Sequence, residues 1–329
     1  TGVLEVMGAG DLPIELIVTA EVFDFALPAV PALKTDFGLD LDAAAAHLRA
    51  AGFNGGAEAV WTAYADLAAA HRVTFRDIAA LPAESADYGR TLAAFESRLS
   101  ALQARGVSTV YVPHTLLDAP EQLAQANAFI EKHGLADRAF TQLAATPPPT
   151  AWQAVYEASQ KWKAAAPSIR PMMTNYGLQP FLSDAAPIWA VHAPMLDTTN
   201  NKAILEYPGA GGEVWWFVNH SPPRPYANFF VDFAAIEHRM FFWQTWALGF
   251  KGVHYWSGNF AEEGQDPWET QLDVTPVNGD GFLVYPGPNG PLPSIRLESI
   301  RDGVEDFDYL TLLSAGIDAL KKQGGNAAV

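Results

Sequence analysis

The feature of this sequence that most constrains its fold is an alternation of short apolar segments with longer segments of helical periodicity. The short segments are rich in β-branched and aromatic residues and predict strands at residues 108–113, 138–143, 170–174, 188–192, 213–219, 252–256 and 282–285. Helices are predicted at residues 42–51, 121–133, 152–166 and 233–248 and within 295–322. This alternation predicts an α/β parallel sheet. The number of units favours a (β/α)8 barrel of the TIM type, regular or distorted, over an open doubly wound sheet.

The N-terminal region predicts one further strand and a tail. Residues 12–25 (LPIELIVTAEVFDF) are rich in β-branched and aromatic residues and stop at Leu27-Pro28, so they predict a strand. Residues 1–11 contain three glycines and no complete element, which favours a tail or linker left from a preceding domain. We therefore expect the barrel domain to occupy residues 12–329.

Composition narrows the functions open to such a domain. The net charge of −17 disfavours a nucleic acid partner, because a polyanion would be repelled. The chain has no cysteine, which excludes disulfides and a cysteine nucleophile. No apolar run reaches the roughly 18 residues of a membrane span, so we expect a soluble protein, secreted or periplasmic, without a membrane partner. Its ten Trp residues suit a glycan, because indole faces match the C–H faces of sugar rings.

Ligands of such barrels lie at the C-terminal ends of the strands, so position within a strand sorts the candidate residues. The polar and aromatic residues that end a predicted strand or open the next loop are His114, Asn175, His192, Asn219, His220, Trp256 and Asn259. The aromatic residues expected to stack on a sugar are Tyr255, Trp256, Trp268 and Tyr285. Glu213 begins its strand and should lie at the opposite face.

Motifs for cofactor or metal chemistry are absent from the sequence. There is no HExxH motif, no histidine cluster and no EF-hand spacing, and Asn278-Gly279-Asp280-Gly281 is more typical of a turn than of a calcium loop. No phosphate-binding loop follows a strand, and no Gly-x-Ser-x-Gly elbow occurs. We expect no cofactor and no metal, which leaves the polar, aromatic and carboxylate chemistry of a carbohydrate site.

Charged residues near the C-terminus have a structural interpretation. The arginine and acidic residues of the closing segment recur at helical spacing and predict ion pairs along one helix; they are Arg296, Glu298, Arg301, Asp302, Glu305 and Asp306. Arg239, on an otherwise apolar helix, is predicted to be buried and paired. Asp232 precedes that helix and is a plausible N-cap.

From residue 22 to its end the chain resembles a known enzyme family. The segments that carry the likeness, in order, are 22–28 (VFDFALP), 71–74 (HRVT), 213–217 (EVWWF), 225–232 (PYANFFVD), 238–246, 252–256 (GVHYW), 266–268 (DPW), 278–281 (NGDG), 285–287 (YPG) and 294–306 (SIRLESIRDGVED). As an ordered set they resemble the catalytic domain of glycoside hydrolase family 123, whose members are β-N-acetylgalactosaminidases with a barrel fold. The resemblance implies a glycan ligand, a role in carbohydrate metabolism, a bacterial source and an N-terminal β-sandwich domain as a possible partner.

The resemblance also implies an Asp-Glu pair that this sequence does not have. In the family the Asp holds the acetamido group of the substrate and the Glu protonates the leaving oxygen, so one carboxyl must be ionised and the other protonated. The pair should follow the strand at 138–143, just before a proline. Here Ala145-Thr146 stand in that place, and no acidic residue occurs between Asp137 and Glu157. Neither an alanine nor a threonine can act as the acid.

Three explanations of the missing pair are compatible with the sequence. The acids have moved to other strand ends, the domain binds glycans without cutting them, or the residues were altered to trap a ligand. The acidic residues in suitable loops are Asp24, Asp197, Asp232, Glu262, Glu263, Asp266 and Asp280. We take Asp197 and Asp24 as the relocated catalytic pair. The functional hypothesis is a glycosidase with an altered active site that hydrolyses a β-linked glycan, and the alternatives are a non-catalytic glycan-binding relative or a scaffold domain.

Overall fold

The computed structural model describes residues 1–7, 13–175, 178–182, 184–199, 201–207, 212–260, 266–269 and 277–322. The strands are β1 (Gly2–Val6), β2 (Ile14–Val18), β3 (Lys34–Phe37), β4 (Val110–Tyr111), β5 (Ala139–Ala145), β6 (Arg170–Asn175), β7 (Ile188–His192), β8 (Glu213–Val218), β9 (Gly252–Tyr255), β10 (Val284–Gly287) and β11 (Gly290–Pro293). The helices are α1 (Leu41–Ala50), α2 (Ala57–Ala70), α3 (Tyr88–Ala104), α4 (Pro120–Lys132), α5 (Trp152–Ala165), α6 (Asn201–Glu206), α7 (Ala235–Ala247) and α8 (Ile295–Lys322).

Seven parallel strands form a curled sheet in the order β3-β9-β8-β7-β6-β5-β4. The gap between β3 and β4 is crossed by residues 73–81, which are not a regular strand. On one side Phe37 N–H donates to the Thr74 carbonyl (3.0 Å), and on the other Tyr111 N–H donates to the Ala79 carbonyl (3.1 Å). The prediction of a TIM-type barrel is confirmed in a distorted form, with isolated bridges in place of the second strand. The alternative prediction, an open doubly wound sheet, is wrong.

The N-terminal region differs from the prediction. Residues 1–11, expected to lack any element, contain β1, which pairs with β2 as an antiparallel hairpin whose described residues are all exposed. The strand predicted at 12–25 is therefore present only as β2 and is not part of the barrel. The first barrel strand is β3 (KTDF), which sequence reasoning missed because its polar residues alternate into the barrel interior and leave no apolar run. Likewise the strand predicted at 282–285 belongs to the separate β10–β11 hairpin.

The barrel interior is packed. A buried cluster separate from the main core contains Phe140, Met172, Ile188, Ala190, Trp215 and Phe217, which come from four neighbouring strands. Gly252 makes room for the Trp215 indole, since an added Cβ would lie 2.3 Å from a ring carbon. At the end where the strands begin, Glu213 accepts from Lys34 Nζ (3.0 Å) and pairs with Arg170. The prediction that Glu213 lies opposite the ligand face is confirmed, because it is the first residue of β8.

The long helix α8 packs mainly against α7, and its predicted ion pairs form in part. Glu298 and Arg301 make the expected pair three residues apart (2.5 Å). Arg296 does not pair with an acid: its side chain is buried and donates to the carbonyls of Phe229 (2.8 Å) and Gly279 (2.5 Å). It therefore ties the start of α8 to two loops.

Two predictions around α7 are corrected. Arg239 is paired as expected, with Asp306 (2.5 Å), but its side chain is 43% exposed and is not buried. Asp232 does not cap α7, because the helix begins at Ala235; the Asp232 carboxylate instead accepts from Asn278 Nδ2 (2.9 Å). Among the helices of the described residues, none combines the length and the apolar character needed to span a membrane.

Candidate active site

A cavity of about 240 Å³ opens at the C-terminal ends of the barrel strands. Its lining residues come from the ends of β5, β6, β8 and β9 and from the irregular segment between β3 and β4; they are Arg76, Gln142, Ala145, Thr146, Thr174, Phe217, Val218, Asn219, His254 and Trp256. The volume is slightly below the range of about 300–1,000 Å³ typical of pockets for drug-sized ligands, so it suits roughly one sugar ring. None of these lining residues is an acid.

A buried charged group lies in the barrel below the cavity. Asp36, on β3, accepts from Arg76 Nε (3.0 Å) and from His254 Nδ1 (2.8 Å), and Arg76 Nη2 makes a further hydrogen bond to the same carboxylate. The Arg76 guanidinium lies 4.4 Å from the centre of the Tyr111 ring. Burial tends to raise the pKa of Asp36, but the charge of Arg76 and the hydrogen bonds from Arg76 and His254 hold that pKa well below its usual value. The carboxylate is therefore ionised.

The contact with Asp36 also determines which ring nitrogen of His254 is the donor. A carboxylate only accepts hydrogen bonds, so Nδ1 must carry a proton and Nε2 is the nitrogen left for a ligand. Asp36 and His254 can face each other because β3 and β9 are paired in register, with Asp36 opposite His254. The cavity thus contains an imidazole oriented by a carboxylate, an arrangement found where a histidine binds or transfers a proton.

The two positions that the family resemblance assigns to the acid pair both line the cavity. Ala145 ends β5 beside Thr174 of β6. Thr146 has a positive φ of 44° and donates its backbone N–H to the Thr174 carbonyl (2.7 Å). A left-handed conformation is unusual for a β-branched residue, and such strain of about 1–3 kcal/mol concentrates at functional sites. Ala145 and Thr146 thus lie at the cavity and supply no acidic side chain.

The predicted strand-end residues are divided between the cavity and its surroundings. Asn219 and Trp256 line it. Asn175 and His192 end β6 and β7 at the same edge of the sheet but are not part of the lining. His192 Nε2 contacts Ser221 Oγ (3.1 Å), and burial lowers the pKa of His192, which favours a neutral ring at pH 7.

The remaining two predicted histidines lie at the surface. His114 and His220 follow β4 and β8, and both are exposed and outside the cavity lining. The structure thus gives neither of them a place against a ligand in this cavity.

Two predicted ligand contacts are corrected, because the side chains are structural. Tyr255 is fully buried; its hydroxyl donates to Asp280 Oδ1 (3.1 Å) and accepts from Gly281 N–H (2.7 Å). Asn259 is 5% exposed and clamps the backbone of Asp40, accepting from its N–H (3.0 Å) and donating to its carbonyl (2.8 Å). Neither side chain lines the cavity, so we no longer assign them to sugar binding.

Trp268 and Tyr285 form a separate aromatic pair. Their rings are 4.8 Å apart, and the Trp268 indole donates to the Pro286 carbonyl (3.1 Å) on the β10–β11 hairpin. Trp268 is exposed and Tyr285 is almost covered. The expectation that Trp268 converges with Trp256 on one cavity is wrong, since neither member of the pair is among the residues that line it.

Asp197 and Asp24 cannot be the relocated catalytic pair in this structure. Asp197 follows β7 at the strand-end face and accepts from the Tyr226 hydroxyl (2.5 Å). Asp24 precedes β3, and the ring of its neighbour Phe25 packs 5.6 Å from Tyr309 on α8, at the end of the barrel where the strands begin. The two carboxyls therefore lie at opposite ends of the barrel. Two other suggested acids, Glu262 and Glu263, lie outside the described residues.

Sequence reasoning missed several polar residues of the site, among them His254, Asp36 and Arg76, and one acid beside it. His254 had a usable signal: side chains alternate along a strand, so His254 shares a face with Trp256 while Tyr255 points the other way. Asp36 was missed together with β3, and Arg76 lies in a short 3₁₀ helix without a pattern. Asp77 follows Arg76; although the residue is exposed overall, burial of its carboxyl is the main cause that raises its pKa to about 6.

Within the described part of the chain, no group of three or more histidine and acidic side chains is placed to hold a metal ion. The polar groups at the cavity are nitrogen donors, an imidazole and hydroxyls, which suit hydrogen bonding to a neutral or anionic organic ligand.

Comparisons with known proteins agree with this architecture. The sequence profile described as "Glycoside hydrolase 123, catalytic domain" matches residues 119–313. No curated protein sequence matches the chain. Among solved structures, a family 123 glycoside hydrolase of glycolipid glycans from Clostridium perfringens is similar with a TM-score of 0.64 and 11% identity, over 94% of this chain and 64% of that one. The chain thus spans less than two thirds of that enzyme's length.

Two further enzymes are similar to a lower degree. An endo-β-1,4-mannanase from Thermotoga petrophila has a TM-score of 0.43 and 11% identity, over 85% of this chain and 77% of the enzyme. A family 5 mannosidase from Rhizomucor miehei has a TM-score of 0.42 and 10% identity, over 85% of this chain and 94% of the enzyme. The family assignment depends on neither. Because the family profile covers more than half of the sequence, the chain belongs to the glycoside hydrolase 123 catalytic-domain family.

Proposed function

We propose that this domain holds the terminal sugar of a β-linked glycan in the strand-end cavity and does not hydrolyse it by the mechanism of its family. The observation that carries the proposal is the lining of the cavity: among the residues that the structure describes, it has one indole, several nitrogen donors and no carboxyl group. An indole beside polar groups is a common arrangement for sugars, since the ring covers the C–H face and the polar groups bind the hydroxyls.

No described residue of the cavity lining is an acid, which argues against acetamido-assisted hydrolysis. That reaction needs a carboxylate to hold the acetamido group and a carboxylic acid to protonate the leaving oxygen. Two described carboxylates contact lining residues: Asp280 accepts from Trp256 Nε1, and Asp36 is ionised and occupied by Arg76 and His254. Asp36 can orient His254 but, being ionised, cannot supply a proton.

Trp256 provides the test of binding. Its indole lines the cavity and is fixed by a hydrogen bond from Nε1 to Asp280 Oδ1 (3.0 Å). We expect Trp256→Ala to weaken binding of a glycan found on an array by about 10-fold or more, as removal of a central aromatic contact commonly does. Trp268→Ala is the matched control, because it removes an exposed indole outside the cavity. Titration calorimetry measures both; equal affinities for the two variants would contradict the proposal.

A second candidate function, hydrolysis by a displaced acid, is favoured by one observation. The raised pKa of Asp77, about 6, is in the range of a general acid, and the residue follows Arg76 at the strand-end face. If Asp77 protonates the leaving group, aryl β-glycosides should be turned over, with a rate that falls as the pH rises through about 6. Asp77→Asn should abolish that turnover while binding persists. Absence of turnover by the wild-type protein would leave glycan binding as the function.

A further inference from the structure

We infer that the cavity selects a sugar that bears a carboxylate, such as a terminal uronic acid, over a neutral or N-acetylated sugar. The inference rests on the proposed function, because it concerns the same cavity. Its first support is the distribution of charge. Among the lining residues that lie in the described part of the chain, Arg76 is the one permanent cation and none is an anion. The counter-charge, Asp36, lies on the far side of the guanidinium, with a side chain only 1% exposed.

The hydrogen bonds of Arg76 leave donor capacity for a ligand. Nε and Nη2 donate to Asp36, whereas Nη1 donates no hydrogen bond to any of the described residues. The side chain remains 19% exposed and lines the cavity. A guanidinium held on one side by a carboxylate can bind a second carboxylate with its remaining N–H groups, and such charge-assisted bonds are about twice as strong as neutral ones.

Asn219 adds a second donor of defined orientation. Its Oδ1 accepts from Ser221 N–H (3.1 Å) and Ser221 Oγ (3.2 Å), which leaves the Nδ2 amide hydrogens for the cavity that Asn219 lines. A carboxylate only accepts hydrogen bonds, so a wall of fixed donors suits it better than it suits a hydroxyl or an acetamido group, which also need an acceptor. The acceptors in the lining are neutral oxygens and, at most, one imidazole nitrogen.

The charge of the whole molecule limits this preference to a single carboxylate. With a net charge of −17 the protein repels a polyanion, but at physiological ionic strength the interactions of surface charges are screened beyond about 8 Å. The contacts inside the cavity act at hydrogen-bond distance and are screened little. The preferred ligand is therefore a mostly neutral glycan that ends in one uronic acid, not a polyuronate.

Titration calorimetry with matched monosaccharides tests this selection. The probes are the methyl β-glycosides of glucuronic acid, glucose and N-acetylglucosamine, together with the corresponding galacto series. We expect the uronide of one series to bind about 10-fold more tightly than its neutral and N-acetylated counterparts, in line with the strength of charge-assisted hydrogen bonds.

Ala145→Asp is the decisive variant, because it places a carboxylate on the cavity wall without touching Arg76 or Asp36. It should remove the uronide preference, measured as the ratio of uronide to neutral-glycoside affinity within the same variant, since only the anionic ligand is repelled. Ala124→Asp, an equal change at an exposed position on α4, should keep the preference. Thermal unfolding checks that both variants fold.

The outcomes separate this inference from the proposed function. If neutral glycosides bind as tightly as the uronides and Trp256→Ala weakens them, the cavity is the glycan site and the selection for acid is wrong. If Ala145→Asp leaves the uronide preference intact, the carboxylate binds elsewhere and the inference is overturned. If none of these sugars binds, the proposed function fails and the inference fails with it.

Discussion

At the scale of residues, the site depends on one buried carboxylate. Asp36 holds Arg76 and His254 together, and its pKa is lowered mainly because the charge of Arg76 and two sets of hydrogen bonds outweigh the effect of burial. Removing one partner of such a group leaves an uncompensated buried charge, which is costly. The sequence could predict Trp256 and Asn219, because both end strands of clear pattern. It could not predict Asp36 or Arg76, because their segments lack one.

Asp36→Asn tests this dependence. We expect it to lower the free energy of unfolding by about 3–5 kcal/mol, the usual cost of breaking a buried ion pair. Denaturation with urea at pH 7 measures the change. Asp40→Asn is the matched control; Asp40 caps α1 by accepting from Ala43 N–H (2.8 Å), and asparagine caps helices equally well. A loss below about 1 kcal/mol for Asp36→Asn would contradict the account.

The pH dependence of stability follows from the same group. The folded-state pKa of Asp36 is lower than its unfolded value, so the unfolded chain binds more protons over that interval and stability rises with pH there. The contribution of Asp36 is complete above about pH 4–5, near the ordinary pKa of an Asp, and is lost as the pH falls towards the lowered value. Denaturation between pH 3 and 7 should show a steeper acid loss for wild type than for Asp36→Asn. Parallel curves would count against the assignment.

At the scale of elements, the sequence predicts those whose apolar pattern matches their environment. The strands β7 and β8 were located because they are buried along their whole length and mostly apolar on both faces. Both β3 and the irregular segment 73–81 were missed, because polar groups inside the barrel interrupt the pattern. The packing of α8 against α7 depends on a close approach at Gly303, where an added Cβ would lie 2.2 Å from a ring carbon of Phe242.

Two glycines of α8 give a matched test of that packing. Gly303→Ala should destabilise the protein by about 1–3 kcal/mol, because Phe242 must move to admit the methyl group. Gly316→Ala, in the same helix with open space around it, should be neutral or stabilising by up to about 1 kcal/mol from helix propensity. Thermal unfolding of both variants measures the difference. Equal stability of Gly303→Ala and Gly316→Ala would contradict the close approach of Phe242 to Gly303.

In the whole molecule, the N-terminal hairpin is far less buried than the barrel. The described residues of β1 and β2 are all exposed, whereas Phe25 packs on Tyr309 and Asp308 accepts from Ala32 N–H (2.7 Å). Both of these contacts with α8 are made by residues that follow the hairpin in the chain. The prediction of a TIM-type fold succeeded because it depended on the alternation of many elements, so the omission of one strand did not change it.

Deletion of residues 1–18 tests how much the hairpin stabilises the barrel. Because the hairpin buries little surface against the barrel, we expect the main unfolding transition to keep its midpoint within about 2 °C, since surface changes away from packed features are usually worth less than about 0.5 kcal/mol. Calorimetry of the full chain and the shortened chain gives the comparison. A fall of 5 °C or more in the midpoint would mean that the hairpin stabilises the barrel.

In the proposed complex, a sugar lies in the strand-end cavity against Trp256 and contacts Arg76 and Asn219. A crystal structure of the protein with a tightly bound glycan shows this contact directly. We expect electron density for one sugar ring in the cavity, with Arg76 Nη1 and Asn219 Nδ2 at hydrogen-bond distance from it. Density against Trp268 and Tyr285 instead, with the cavity holding only water, would contradict it.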